Sequence, residues 1–242
     1  MEEKITKTNW VPTANRFVCF LDIMGFKDLV MRNNHKYIYE LLLDLSKNRE
    51  TLDNVKSLPE RYDLDSLKTV SFSDSIVIFT KTDSVECFEL LTISVNWLFA
   101  QAIKSEIAMK GSIALGETSV NIAKQIFFGQ SIIDAYLLQE EVAFYGIVAH
   151  NSVENFIANE GIDESVFNTY KECKAPLKSG KIGHLILNWA DAFDREEGID
   201  LKENVLLVIQ KLRNKTSGSP RRYIDNTIGV INEIYKSSLD NK

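Results

Sequence analysis

Two aspartates carry the most specific chemistry in this chain. Asp22 closes an otherwise apolar run, Phe20-Leu21-Asp22-Ile23-Met24-Gly25-Phe26, and Asp74 is the centre of Ser73-Asp74-Ser75, between two runs rich in β-formers. A divalent cation that carries triphosphate oxygens needs only one or two protein carboxylates, because phosphate and water complete its octahedron. Two such cations can activate a hydroxyl nucleophile and stabilise the leaving group of an in-line displacement at phosphorus. Gly25 lacks a side chain that would keep phosphates away from the backbone. The N–H groups of Met24 to Lys27, at a helix start, suit the same anion. Either aspartate alone reads as an ordinary turn residue; the two at neighbouring positions of one sheet read as a site.

That neighbourhood depends on the elements. Residues 16–23 form a short apolar run with one Asp near its end, which predicts a buried strand. Ile38, Leu41, Leu42 and Leu45 fall at helical spacing and predict a helix over 35–49; the polar stretch 51–66, with Pro59, reads as a loop. Leu67–Phe72 and Ser75–Phe79 predict a hairpin with Asp74 at or near its tip. Asp83 and Glu86 resemble a capping box that opens a helix to about Lys104, with Phe88, Leu91, Val95, Leu98 and Ala102 facing inward. Strands are expected at 109–117, 144–149 and 182–187. Helices are expected from Gly129 to about Glu141, over 200–213 and over 221–237, the last two around the Ser217-Gly218-Ser219-Pro220 break. The first six elements make a βαββαβ unit, an α+β fold of ferredoxin-like type, with additional strands and a C-terminal helical extension. The catalytic-type core is expected at 14–190 and the extension at 191–242.

The residues at this point resemble the class III nucleotidyl cyclases. Phe20-Leu21-Asp22-Ile23-Met24-Gly25-Phe26 is similar to their first metal motif and Ser73-Asp74-Ser75 to their hairpin. Ser112-Ile113-Ala114-Leu115-Gly116 is similar to their Gly-rich strand, and Phe128-Gly129 with Ala135 to the start of their next helix. The resemblance covers about residues 16–150. It implies a homodimer or pseudo-dimer with sites at the interface. Asp22, Asp74 and the carbonyl of Ile23 would hold two Mg²⁺ or Mn²⁺ ions, and Gly25, Phe26 and Lys27 would bind the triphosphate. The nucleotide 3′-hydroxyl would attack its own α-phosphate and release pyrophosphate.

The departures point to a subgroup. Purine cyclases carry polar base readers where this chain has Val70 and Ile126, and a transition-state Asn and Arg where it has Ile133 and Leu137. Apolar groups cannot supply the hydrogen bonds that make base discrimination strong. Lys27, Lys68 and Lys110 are the cations in or beside the motifs, and Lys27 is the best placed to stand in for the arginine. Gly25-Phe26-Lys27, the Phe-Ser-Asp-Ser-Ile-Val-Ile hairpin, Ile133-Asp134-Ala135-Tyr136 and Leu187-Asn188-Trp189 resemble the Pycsar cyclases of bacterial antiphage defence. Those make cyclic UMP or cyclic CMP for a separate effector. Val70 and Ile126 would then line the base pocket, with UTP and CTP both open as substrates. Two other readings stand beside this one: a catalytically silent cyclase fold that binds a nucleotide, and another two-metal nucleotidyl-transfer enzyme on the same core.

Composition narrows the field further. The 242 residues carry 28 basic and 34 acidic side chains, a net charge of −6. That is no electrostatic footprint for nucleic acid, so no nucleic-acid partner is expected. Three scattered cysteines, Cys19, Cys87 and Cys173, suit reduced thiols and a cytoplasmic location. Residues 1–8 lack the apolar core of a signal peptide, and no apolar run is long enough to span a bilayer, so no membrane partner is expected. His35, His150 and His184 match no zinc spacing, and no phosphate-binding or dinucleotide glycine motif is present. Lys211, Arg213, Lys215, Arg221 and Arg222 form a basic cluster that reads as a solvated loop or a phosphate contact.

Overall fold

The computed structural model describes residues 9–40, 43, 62–193, 200–214 and 216–240. Its centre is β1 (Thr13–Ile23), which starts three residues earlier than the apolar run predicts. Phe17, Cys19, Leu21 and Ile23 point into the main core, while Val18 and Phe20 face a smaller cluster on the other side of the sheet. Burial of both faces explains why the strand reads as a continuous apolar run without alternation. A seven-residue helix, α1 (Phe26–Arg32), follows at once. Of the helix expected over 35–49, residues 35–40 are helical; positions 41, 42 and 44–49 lie outside the described residues, as do 51–61 of the expected loop.

The hairpin forms as expected from β2 (Leu67–Phe72) and β3 (Ser75–Thr80), with Phe72 opposite Ser75. Its loop is therefore the two residues Ser73 and Asp74. Ser73 has φ +57°, the positive first dihedral that the primed turns of tight hairpins require. Helix α2 (Val85–Lys104) is capped by Ser84, whose hydroxyl accepts from the Cys87 amide at 3.3 Å, and not by the expected Asp83. The serine sits three residues before the amide that it satisfies, the geometry of an N-cap.

Strand β4 (Met109–Asn121) runs four residues beyond the expected 117 because β5 (Ile126–Gly129) folds back on it. Helix α3 (Gln130–Glu141) then crosses the sheet face that carries Val18 and Phe20. The strand expected at 144–149 shortens to β6 (Ile147–Ala149). The residues before it are held by other partners: the Tyr145 amide donates to Thr227 Oγ1 at 2.8 Å, and Asn226 Nδ2 donates to the Ala143 carbonyl at 2.7 Å. Helices α4 (Asn151–Asn159) and α5 (Glu164–Phe167) and strand β7 (Tyr170–Leu177) were not legible as elements; β8 (Gly180–Leu187) includes the expected 182–187. Strand β7 alternates imperfectly between buried and charged residues and contains Pro176, which suits its place at the sheet edge.

Among the described residues the sheet has eight strands, in the order β2-β3-β1-β4-β6-β8-β7, with β5 paired to β4. Its first half, β4-β1-β3-β2, is antiparallel throughout and is the strand order of a ferredoxin-like βαββαβ unit. Helices α6 (Leu201–Asn214) and α7 (Arg221–Asp240) contribute Val205, Ile209, Leu212, Ile224 and Ile231 to the main core. Val230 and Ile234 of α7 also pack against Phe144, Val148 and Ile186, in a second cluster beside β6 and β8.

Candidate active site

The strand register places the two aspartates together. Asp22 is directly opposite Ser75, the residue after Asp74, and the Ile23 amide donates to the Asp74 carbonyl at 2.9 Å. Asp22 has the same parity as Val18 and Phe20, so its carboxylate leaves the sheet on the α3 side. Both aspartates are half-buried. Burial, reinforced by the negative charge of Asp74, pushes the Asp22 carboxyl up to about 6, and the Lys110 cation acts in the opposite direction. A carboxylate whose proton affinity is raised by burial and by a neighbouring negative charge sits in a field that a divalent cation would relieve.

Among the described residues no group of three or more His, Cys, Asp or Glu side chains could hold a metal ion. A cation at Asp22 and Asp74 would therefore draw its other ligands from phosphate and water, as Mg²⁺ and Mn²⁺ do with a bound triphosphate. The residues fit such an ion on those terms. Beside the pair, Gly25 has φ +71°, and a Cβ there would meet nothing within 4 Å. The glycine is needed for its dihedral, and the space in front of it is open. Phe26 is packed against the main core, so a phosphate could meet only its backbone, whereas Lys27 is exposed. The Met24 amide, expected to face phosphates, is already committed to the Ala108 carbonyl at 2.8 Å.

Of the two base-pocket candidates, Val70 lies on the face of the carboxylates and Ile126 does not converge with them in one chain. Val70 is opposite Val77, which is opposite Phe20, so an apolar row crosses the sheet on the Asp22 face. Ile126 is opposite Asn121, at the far end of β4 from Lys110, the residue paired with Asp22. At ~3.3 Å per residue that separation is roughly 35 Å along the strand. Ile133 and Leu137 are on the exposed side of α3, where Leu137 is 56% exposed. Of the three lysines, Lys68 pairs with Asp65 at 3.3 Å and lies over the Trp10 ring. Lys110 is buried beneath α3, which takes it out of reach of a substrate. Two neighbours of the site were not legible in the sequence: the Asp22–Lys110 pairing and the Tyr136 ring, edge-on to Phe20 with centroids 5.4 Å apart. Both depend on strand register and helix placement.

The thiols of Cys19, Cys87 and Cys173 are free and buried. In the basic cluster Arg213 pairs with Asp225 at 2.9 Å, and Arg221 donates to the Arg213 carbonyl.

Comparison with solved structures identifies the fold. The catalytic core of a rhodopsin-guanylyl cyclase with converted specificity, in complex with ATPαS, matches with a TM-score of 0.51 at 12% identity, over 73% of this chain and 98% of that one. The guanylate cyclase domain of RhGC from Catenaria anguillulae, in complex with GTP, matches with 0.51 at 11% identity, over the same shares of the two chains. A bacterial light-regulated adenylyl cyclase matches with 0.48 at 9% identity, over 83% of this chain and 98% of that one. No family model and no curated protein matches the sequence. The chain thus has the mixed α/β fold of nucleotidyl cyclase catalytic domains. No helix among the described residues is long and apolar enough to cross a membrane.

Proposed function

We propose that the protein is a nucleotide cyclase that converts UTP or CTP to the 3′,5′-cyclic monophosphate and pyrophosphate, and that the product is a messenger read by a separate effector in antiphage defence. The observation that carries the cyclase reading is the meeting of Asp22 with Asp74 through the Ile23–Asp74 backbone hydrogen bond, on a cyclase fold. Asp22, Asp74 and the Ile23 carbonyl would hold two Mg²⁺ or Mn²⁺ ions, which would supply charge neutralisation of the triphosphate and Lewis-acid help to the 3′-hydroxyl. The chain's own contribution is orientation. The β1–β3 register fixes the two carboxylates, the Gly25 turn gives the phosphates an open approach, and the backbone at Phe26 with the exposed Lys27 meets the triphosphate. The pyrimidine assignment rests on the resemblance to Pycsar cyclases and on the apolar residues Val70 and Ile126.

The enzyme acts as a homodimer. Ile126 and Phe128 leave β5, and Ile133, Tyr136 and Leu137 leave α3, with exposed apolar surface, Phe128 being 63% and Ile126 44% exposed. A second copy covering that surface would also bring a base pocket to the carboxylates, which one chain does not do for Ile126.

The test is incubation of the purified chain with each of ATP, GTP, CTP and UTP in the presence of Mn²⁺, with products identified by mass spectrometry. A cyclic pyrimidine monophosphate is expected, reduced at least ~100-fold in Asp22→Ala and Asp74→Ala, as befits loss of metal-holding groups. Nucleotide binding without turnover would favour a silent binding module, for which the apolar Ile133 and Leu137 speak. A dinucleotide product would overturn the cyclase assignment.

A further inference from the structure

Lys110 combines three features that a strand-end lysine need not have. It is directly opposite Asp22 in the β1–β4 register, where facing Cβ atoms lie about 5 Å apart. It is only 4% exposed. Its ammonium donates to the Gln139 carbonyl at 3.0 Å and the Glu140 carbonyl at 3.3 Å, in the last turn of α3. A buried cation needs compensation, and here it comes from the negative end of a helix and from nearby carboxylates. Burial lowers its proton affinity, with Lys178 acting in the same direction, and Glu140, Asp22 and Glu141 oppose that shift.

A structural tie alone could be made by an uncharged donor reaching the same two carbonyls. What the charge adds acts on Asp22. In the absence of metal the two aspartates and this lysine carry a net −1 where the aspartates alone would carry −2. We propose that Lys110 is the resident counter-cation of the Asp22–Asp74 site: it holds the carboxylate pair before metal arrives and opposes the binding of a free divalent ion, so that metal enters together with the triphosphate. This rests on the assignment of Asp22 and Asp74 as metal-holding residues. Lys110 touches neither substrate nor metal and is a positioning residue. The divalent ion feels its charge twice over, and in a half-buried site that repulsion is weakly screened.

The experiment is calorimetric titration of the full chain with Mn²⁺ alone at pH 8.5, without nucleotide, on the wild type, Lys110→Met, Lys110→Gln and Lys110→Arg. Gln keeps a donor for the α3 carbonyls, so a folded uncharged variant is available if Met disturbs the helix. Removing one partner from a buried set of charges can be strongly destabilising, so affinity is compared only among variants that are folded. Circular dichroism and the thermal midpoint report whether each variant is folded. We expect Met and Gln to bind Mn²⁺ about tenfold more tightly than the wild type, Arg to match the wild type, and Asp22→Asn added to Lys110→Met to abolish the gain. A purely structural lysine would instead lower the thermal midpoint and leave Mn²⁺ affinity unchanged or weaker, which would overturn the proposal. Mn²⁺ binding that depends on Asp22 and is indifferent to Lys110 would sink this inference and leave the metal site standing. No Asp22-dependent binding in any of the chains would overturn both.

Discussion

Asp22 works against its surroundings as long as no metal ion is bound. Its carboxyl is raised to about 6 by burial first and by Asp74 second. A carboxyl raised above its unfolded value favours the folded state when protonated, and that stability is lost as pH rises from about 4 through 6. Asp22→Asn removes the charge and should escape the loss. In a chelating buffer the thermal midpoint of Asp22→Asn should therefore exceed that of the wild type above pH 6, with the gap closing toward pH 4. A gap independent of pH would show that Asp22 is not the titrating group. The neighbouring Gly25 makes a different demand. Its φ of +71° needs glycine, while the space in front of it is empty, so the turn leaves an open approach to the carboxylates.

At the scale of elements, the site depends on how β4 and α3 are joined. Gly129 ends β5 and opens α3 with φ +154°, and a Cβ there would lie 2.4 Å from the Glu117 carbonyl oxygen and 2.7 Å from Thr118 Cα. Those are backbone atoms that cannot turn aside. Gly129→Ala should cost about 1–3 kcal/mol in urea unfolding, the range for overpacking. It should also shift α3, whose Ala135 carbonyl accepts from Ser112 and whose last turn accepts from Lys110. Product formation should fall along with stability. A variant as stable as the wild type would mean that the β5–α3 turn relaxes freely.

The whole molecule has an unfinished surface. Apolar side chains are exposed at Ile126 and Phe128 on β5 and at Ile133 and Leu137 on α3, and exposed apolar surface of this kind suits an interaction site. Phe128→Asp and Leu137→Asp together should convert a dimer to a monomer in analytical ultracentrifugation, abolish cyclization and leave the circular dichroism spectrum unchanged. A wild-type chain that is monomeric at working concentrations would remove this account. Away from that surface, α6 and α7 return to the sheet and fill its core, with α7 fixed to the segment before β6 by Thr227 and Asn226. Their substitution should therefore act through stability.

The local sequence determined much of this protein. The apolar run ending in Asp22 was legible as a strand because burial on both faces leaves a continuous hydrophobic signature. The Ser-Asp-Ser centre was legible as a hairpin because turn residues interrupt two β-rich runs. Together they predicted the β1–β3 neighbourhood and the carboxylate pair, and the split βαββαβ order followed from element types alone. Tertiary structure decided the remainder. Strand β7 was missed because an edge strand needs only a partial apolar pattern, and the α2 cap fell on Ser84 because capping depends on where the backbone turns. Lys110 reads as an ordinary strand-end cation until the register sets it opposite Asp22 and α3 buries it. The separation of Ile126 from the carboxylates likewise came from the length of β4. Register and helix placement are long-range properties, and a residue's charge environment belongs to them, not to its sequence neighbours.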